Sequence, residues 1–254
     1  NTHWLNGSNK VVAYDLPSLV SPTLKWERIQ TLDIGGDFGF FNNELNISFD
    51  WYQRTTKDML APGQTMPDVL GAGAPKINAG TLRTRGWELS IDWRHHFNEV
   101  NVYANASIGD FKTVITKWDN DSQLLNENYS GKVYGDIWGF ETDRYFTKDD
   151  FNADGSYKEG IASQKKLEQD GFVYGPGDIK FKDLNNDKEI NGGEGTVKDH
   201  GDLKVIGNTT PRYQYGFRLG GEWKGIDIDM FFQGVGKCDA WTQSAFVMPM
   251  MRGA

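Results

Sequence analysis

Cysteine is almost missing from this chain. Cys238 stands alone, which excludes an internal disulfide and any zinc site built from cysteines. Because it closes a strand-like run, the thiol is expected to be buried or to face lipid. Hydrophobic residues reach only 38%, and no run approaches the roughly 20 apolar residues of a membrane-crossing helix. Positive charge is scarce too. Lys and Arg number 27 against 35 Asp and Glu, for a formal net charge of −8, and no basic cluster is present, so nucleic acid is excluded as a partner. A nucleophile elbow, an HExxH pair and a phosphate-cradling loop are all missing. No enzyme activity is therefore expected. The N-terminus carries no secretory signal and begins at Asn1; for an exported protein this implies a piece of a longer precursor.

What the chain has instead is aromatic residues, turn formers and a period of two. Aromatics make up 13%, with nine Trp, beside 30 Gly. Apolar and polar residues alternate in segments of about ten. In ELNISFDWYQR, from Glu44, Leu45, Ile47, Phe49 and Trp51 oppose Glu44, Asn46, Ser48 and Asp50. GWELSIDWRHHF sets Trp87, Leu89, Ile91, Trp93 and Phe97 against Glu88, Ser90, Asp92, Arg94 and His96. VNVYANASIG, RYQYGFRLGGEW and IDIDMFFQG repeat the pattern, and TLDIGGDFGF is a weaker partner. Six such segments make three hairpins, at about 30–54, 84–110 and 211–236. Their expected turns are Asn42-Asn43, Asn98-Glu99 and Lys224-Gly225, all of turn-forming chemistry. Long connections, about 55–82 and 112–210, join the hairpins.

Short turns on one side and long loops on the other are the pattern of an outer-membrane barrel. The polar faces carry Asp, Asn, Ser and Arg rather than the Lys, Glu and Thr of a water-facing sheet. The apolar faces carry Trp and Phe near strand ends, as interfacial girdles do. The expected fold class is therefore all-β: an antiparallel transmembrane β-barrel segment with long extracellular loops. Six strands cannot close a barrel, since the smallest have eight, so the remaining strands are expected outside this chain. Asp50, Glu88, Asp92, Arg94, Asn101, Asn105, Arg212 and Arg218 are expected to line the lumen. Phe49, Trp51, Trp87, Trp93 and Phe217 are expected to face the lipid bilayer.

Several runs resemble the SusC-like (SusC/RagA) branch of TonB-dependent outer-membrane transporters of Bacteroidetes-type bacteria. They are PTLKWERIQTLDIGGDFGFFNNELNISFDWYQRTTKDML (22–60), RGWELSIDW (85–93), YGPGDIKFKDLNNDKEIN (174–191), VIGNTTPRYQYGF (205–217) and WKGIDIDMFFQGVG (223–236). The resemblance implies a 22-stranded barrel, of which this chain is a C-terminal portion lacking the N-terminal plug and the final strands. It also implies TonB-driven import of oligosaccharides or peptides across the outer membrane of a Gram-negative cell. The partners so implied are a SusD-like surface lipoprotein and, through the absent N-terminal segment, TonB.

Two constellations invite chemistry. Asp183, Asn185, Asp187, Glu189, Asn191 and Glu194 have the oxygen spacing of a calcium loop; Lys188 stands where such loops turn on Gly, and an Asx-rich turn satisfying its own backbone is the plainer expectation. No cofactor is required, and structural Ca2+ is the one metal this run could take. In the long connection, Trp118, Tyr134, Trp138 and Tyr145 could stack on sugar faces, although packing of the loop on itself and against a lid protein is preferred. ASQKKLEQDG (162–171) is expected to form a short helix within it. His95 and His96 are adjacent on a strand and must point to opposite faces, so they cannot share a metal. Carboxylates sharing a strand face, such as Glu88 with Asp92, fit a wet pore better than a glycosidase pair. Two rivals remain: a secreted carbohydrate-binding β-sandwich with a calcium loop, and a small barrel serving as a passive porin or adhesin.

Overall fold

A computed structural model describes residues 3–6, 9–12, 20–62 and 75–241. Six long strands form one antiparallel sheet: β3 (Arg28–Phe40), β4 (Leu45–Pro62), β5 (Lys76–Phe97), β6 (Val100–Lys117), β11 (Arg212–Trp223) and β12 (Ile226–Lys237). Their order is β12-β11-β6-β5-β4-β3. A separate hairpin joins β1 (His3–Asn6) to β2 (Asn9–Val12), and it went unforeseen because four-residue strands show too little alternation to detect.

The register makes the two-faced character explicit. One row across all six strands reads Phe38, Ile47, Ile91, Ala106, Phe217, Phe232, and the next Phe40, Leu45, Trp93, Ala104, Leu219, Met230. On the other side the rows read Asp37, Ser48, Ser90, Ser107, Gly216, Gln233 and Gly39, Asn46, Asp92, Asn105, Arg218, Phe231. Nothing among the described residues covers the apolar side: Ile34 is 61% exposed, and Ile226 and Ile228 are 60% exposed each. A sandwich would interlock that side with a second sheet, and the described residues show no such packing. So contiguous an apolar surface is untenable in water and ordinary against acyl chains.

The strands run longer than the roughly 9–11 residues that cross a bilayer. β5 has 22 residues and β4 and β6 have 18 each, so the three central strands extend well beyond the membrane. The first connection is accordingly shorter than expected; its stretch 63–74 lies outside the described residues. The turn after β3 is also larger than a two-residue loop. Phe41, Asn42 and Asn43 all have positive φ, and Glu44 donates its amide to the Phe41 carbonyl at 3.2 Å. Glu44 thereby leaves the polar face expected for it and contacts His95 Nδ1 at 2.6 Å. At Lys224-Gly225, φ values of 48° and 83° give the primed turn that suits twisted strands.

The buried core lies mostly outside the sheet, in the segment between β6 and β11. Here β7 (Asp136–Phe140) pairs with β10 (Leu203–Asn208), and β8 (Thr142–Tyr145) with β9 (Ile179–Phe181). Leu125, Tyr129, Ile137, Phe146, Phe151 and Ile190 are its buried apolar side chains. The expected helix at 162–171 is a single 3-10 turn, Lys165–Leu167. Gln164 explains the shortfall: fully buried, it donates Nε2 to the Ile179 carbonyl at 3.1 Å and accepts the Phe181 amide on Oε1 at 2.7 Å, so it serves strand β9 rather than a helix. Gly171, at φ 82°, then reverses the chain. The whole segment is sewn to the wall by main-chain bonds. Above the start of β11, Ile115 donates to the Lys132 carbonyl, Gly131 to that of Ile115 and Tyr134 to that of Thr113, at 2.8–2.9 Å.

Candidate functional site: a polar wall and its external loop

Period-two geometry and antiparallel register put seven of the eight expected lumen residues on one side of the sheet. Asp50 stands opposite Glu88; Asp92, Asn105 and Arg218 share a row; Arg94 faces Tyr103, and Asn101 faces Glu222. Their contacts form a network toward the short-turn end. Arg94 Nε donates to Asp92 at 3.1 Å, Asn105 to Asp92 at 3.3 Å, and Arg218 Nε to Asp229 at 2.8 Å. His96 Nδ1 meets the Asn101 side-chain oxygen at 2.6 Å. Higher up, Asp50 and Glu88 border a concavity of about 800 Å³ together with Tyr52, Ser90, Gln214 and Gln233.

Arg212 departs from expectation. It stands where the ladder between β11 and β6 ends, and its guanidinium forks onto Asp110, with Nε at 2.6 Å. Asp110 is in register with Trp87, on the apolar side. Tyr213, at φ 53°, breaks the alternation there, so Arg212 closes a strand junction instead of lining the wall.

Two tyrosines on the polar side escaped the sequence-based set. The Tyr103 hydroxyl donates to Asp229, with its ring lying over Gly220 on the neighbouring strand, and Tyr52 lies over Gly86 in the same way. Glycine opposite tyrosine is the signal that could have found them, because only a residue without Cβ leaves room for a flat ring. His95 and His96 do face opposite sides: His95 stacks with Trp93 (ring centroids 6.1 Å) and meets Phe97 edge-on (4.2 Å), within the aromatic girdle at the short-turn end.

The four loop aromatics do not form one platform. Tyr134 and Trp138 border a cavity of about 730 Å³ with Lys132, Glu194, Leu203 and Trp241. Trp138 donates its indole N–H to the Tyr129 hydroxyl at 3.2 Å. Trp118 packs on Gly80, 2.6 Å from where a Cβ would stand, and Tyr145 is exposed on β8. Of the Asx run, Asp183, Asn185 and Asp187 share one turn. Asp183 accepts the amides of Asn186 (2.7 Å) and Lys188 (2.9 Å), Asn185 that of Asp187 (2.9 Å), and Asp187 that of Glu189 (2.7 Å). Lys188 adopts φ 68°, the conformation a glycine would normally supply. The Asn191 side chain accepts the Gly193 amide at 2.8 Å, Glu189 pairs with Lys166 at 2.6 Å, and Glu194 lies by the second cavity. Among the described residues no three His, Cys, Asp or Glu converge on a point. Cys238 lies just past β12, exposed, its Sγ 3.4 Å from the Thr209 carbonyl.

Two ion clusters brace the loop. Glu141 accepts Lys182 Nζ at 2.6 Å and Lys204 Nζ as well, and these ammonium groups hold its carboxyl down to about 2. Asp150, buried, takes a two-pronged bond from Arg144 (2.6 Å each) and the Thr147 amide at 2.7 Å, and the Arg144 guanidinium above all holds its carboxyl well below the usual carboxylate range.

Comparison with known proteins follows the same lines. Residues 5–237 match the family model described as TonB dependent receptor-like, beta-barrel. TonB-dependent receptor P3 of Formosa agariphila is 29% identical over 89% of the chain, and TonB-dependent receptor SusC of Bacteroides thetaiotaomicron 27% identical over 78%. The chain spans 22% and 19% of those two relatives. The solved RagAB peptide transporter superposes with a TM-score of 0.60 over 91% of the chain and 23% of its own, at 21% identity, a likeness of fold.

Proposed function

The chain belongs to the TonB-dependent receptor β-barrel family, and from that premise we propose that it forms part of the wall and one external loop of an outer-membrane nutrient importer. The cargo is an oligosaccharide or a peptide. The importer works with a SusD-like surface lipoprotein and is energised through TonB. One observation carries this reading: a continuous polar wall, six strands wide, stands back to back with an uncovered apolar one. Such a wall hydrates a cargo on one side and is solvated by lipid on the other.

The wall's charge narrows the cargo. Asp33, Asp37, Asp50, Glu88, Asp92 and Asp227 share the polar side with few cations, chiefly Arg54, Arg94 and Arg218, and Arg218 is held by Asp229. Polyanionic cargo is disfavoured by such a field, whereas neutral glycans and neutral or cationic peptides are not. Deleting the gene and feeding labelled neutral oligosaccharides, cationic peptides and sulfated oligosaccharides tests this. Loss of uptake of one of the first two is expected, together with recovery of a lipoprotein on the tagged receptor. Unchanged uptake of every neutral or cationic cargo, with the receptor purifying alone, would sink the reading.

A further inference from the structure

Just beyond the aromatic girdle on the loop side, the outward face of the sheet turns basic. Trp51 and Trp87 are register partners that close the apolar band. Two residues further along, on the same outward face, Arg85 stands directly opposite Lys112. Arg83 follows on β5, and Lys57 lies on β4. Acids are few here. Asp58 is held by Arg28 at 2.7 Å and Asp110 by Arg212, so both nearby carboxylates are already engaged. Among the described residues Arg85 uses only Nε, donating to Gln53 at 2.7 Å; Arg85, Lys112 and Lys57 are exposed.

Like charges directly opposite on neighbouring strands cost stability, and nothing in the described chain offsets this pair. At roughly 3.3 Å per residue and a tilt near 40°, two residues rise about 5 Å above the tryptophans, which is the depth of lipid head groups. Lys57 and Arg83 continue the positive strip upward by further residue pairs. The strip is taller than one phosphodiester, and Gln30, Gln53 and Thr55 punctuate it with neutral hydrogen-bonding groups on the same face.

We propose that this strip binds the phosphorylated sugar head of an outer-leaflet glycolipid of the lipid A type. Arg85 and Lys112 grip its phosphate, while Arg83 and Lys57 face the sugar-borne anions above. Arg offers a planar fork to phosphate and Lys a point charge. The site lies outside the barrel and rests on the barrel orientation, not on what the importer carries.

The test uses the whole receptor, purified and stripped of lipid, then incubated with detergent micelles doped with lipid A, phosphatidylglycerol or phosphatidylcholine. Bound lipid is counted by native mass spectrometry. Wild type should retain lipid A in preference to both phospholipids and release it at high salt. R85Q/K112Q should bind lipid A at least tenfold more weakly, while K224Q, which removes a cation at the opposite end of the sheet, should bind as wild type does. Migration as a folded barrel on unheated gels confirms that each variant is intact. Without lipid, R85Q/K112Q should be no less stable than wild type, because a repulsion has been removed; R85Q alone serves if the double variant misfolds. Equal retention by wild type and R85Q/K112Q overturns the proposal, and so does retention of phosphatidylglycerol as strong as that of lipid A.

Discussion

At the residue scale, two kinds of position carry the wall. Gly220 exists so that Tyr103 can lie across it and reach Asp229. A Cβ there would fall within the ring, so Gly220→Val should expel Tyr103, break the bond to Asp229 and cost about 1–3 kcal/mol. Urea unfolding in detergent measures it, and an unshifted midpoint would count against a ring-on-glycine seat. Glu141 is the second case. Its carboxyl titrates near 2 in the folded loop against 4.5 ordinarily. A depressed folded value means that stability is in full force above about 4.5 and fades as pH falls toward 2. Protease resistance of the loop should decline across that window, and Glu141→Gln should flatten the decline. Both positions show what one sequence hides: the strand faces were legible, but which tyrosine meets which glycine depends on register between strands.

Elements divide sharply by legibility. The six sheet strands announced themselves because a wall wet on one side and oily on the other must alternate at every step. Asp50, Glu88, Asp92, Arg94, Asn101, Asn105 and Arg218 share the polar face for that reason alone. Arg212 does not, because a positive φ at Tyr213 interrupts the period. The loop strands β7 to β10 have three to six residues, too few for a period, and they are held by side chains that bond to backbone. Gln164 is the chief example. Gln164→Leu leaves the Ile179 carbonyl and the Phe181 amide without their partner in a dry site, at about 1–3 kcal/mol each. Hydrogen exchange should quicken at Phe181 and along β9 while the six-stranded sheet keeps its protection; unchanged exchange would remove Gln164 from that role. Asp183→Ala, which frees two turn amides, should likewise expose 183–191 to proteases, and repeating the digestion with calcium tests the alternative of an ion site independently.

On the scale of the whole molecule, the sheet is open. β3 and β12 each have one partner strand, and the described residues offer no second. Within hydrocarbon an unpaired strand edge is costly at every residue, so the six strands hold their place only between neighbours. Residues 20–241 expressed alone should fail to give a detergent-resistant, heat-modifiable barrel, whereas the full receptor should give one. A stable barrel from the segment alone would mean that its edges find each other, and gel migration decides between the two.

The main-chain stitching of residues 131–134 onto the upper end of β6 has a consequence for how such a mouth diversifies. Amide-to-carbonyl bonds are indifferent to side-chain identity, so the rim around Tyr134 and Trp138 can exchange its chemistry freely while its frame stays put. A doorway fixed in this way cannot swing. On the importer reading proposed above, new tastes in cargo would arise by repainting the doorframe while its timbers stay where they are.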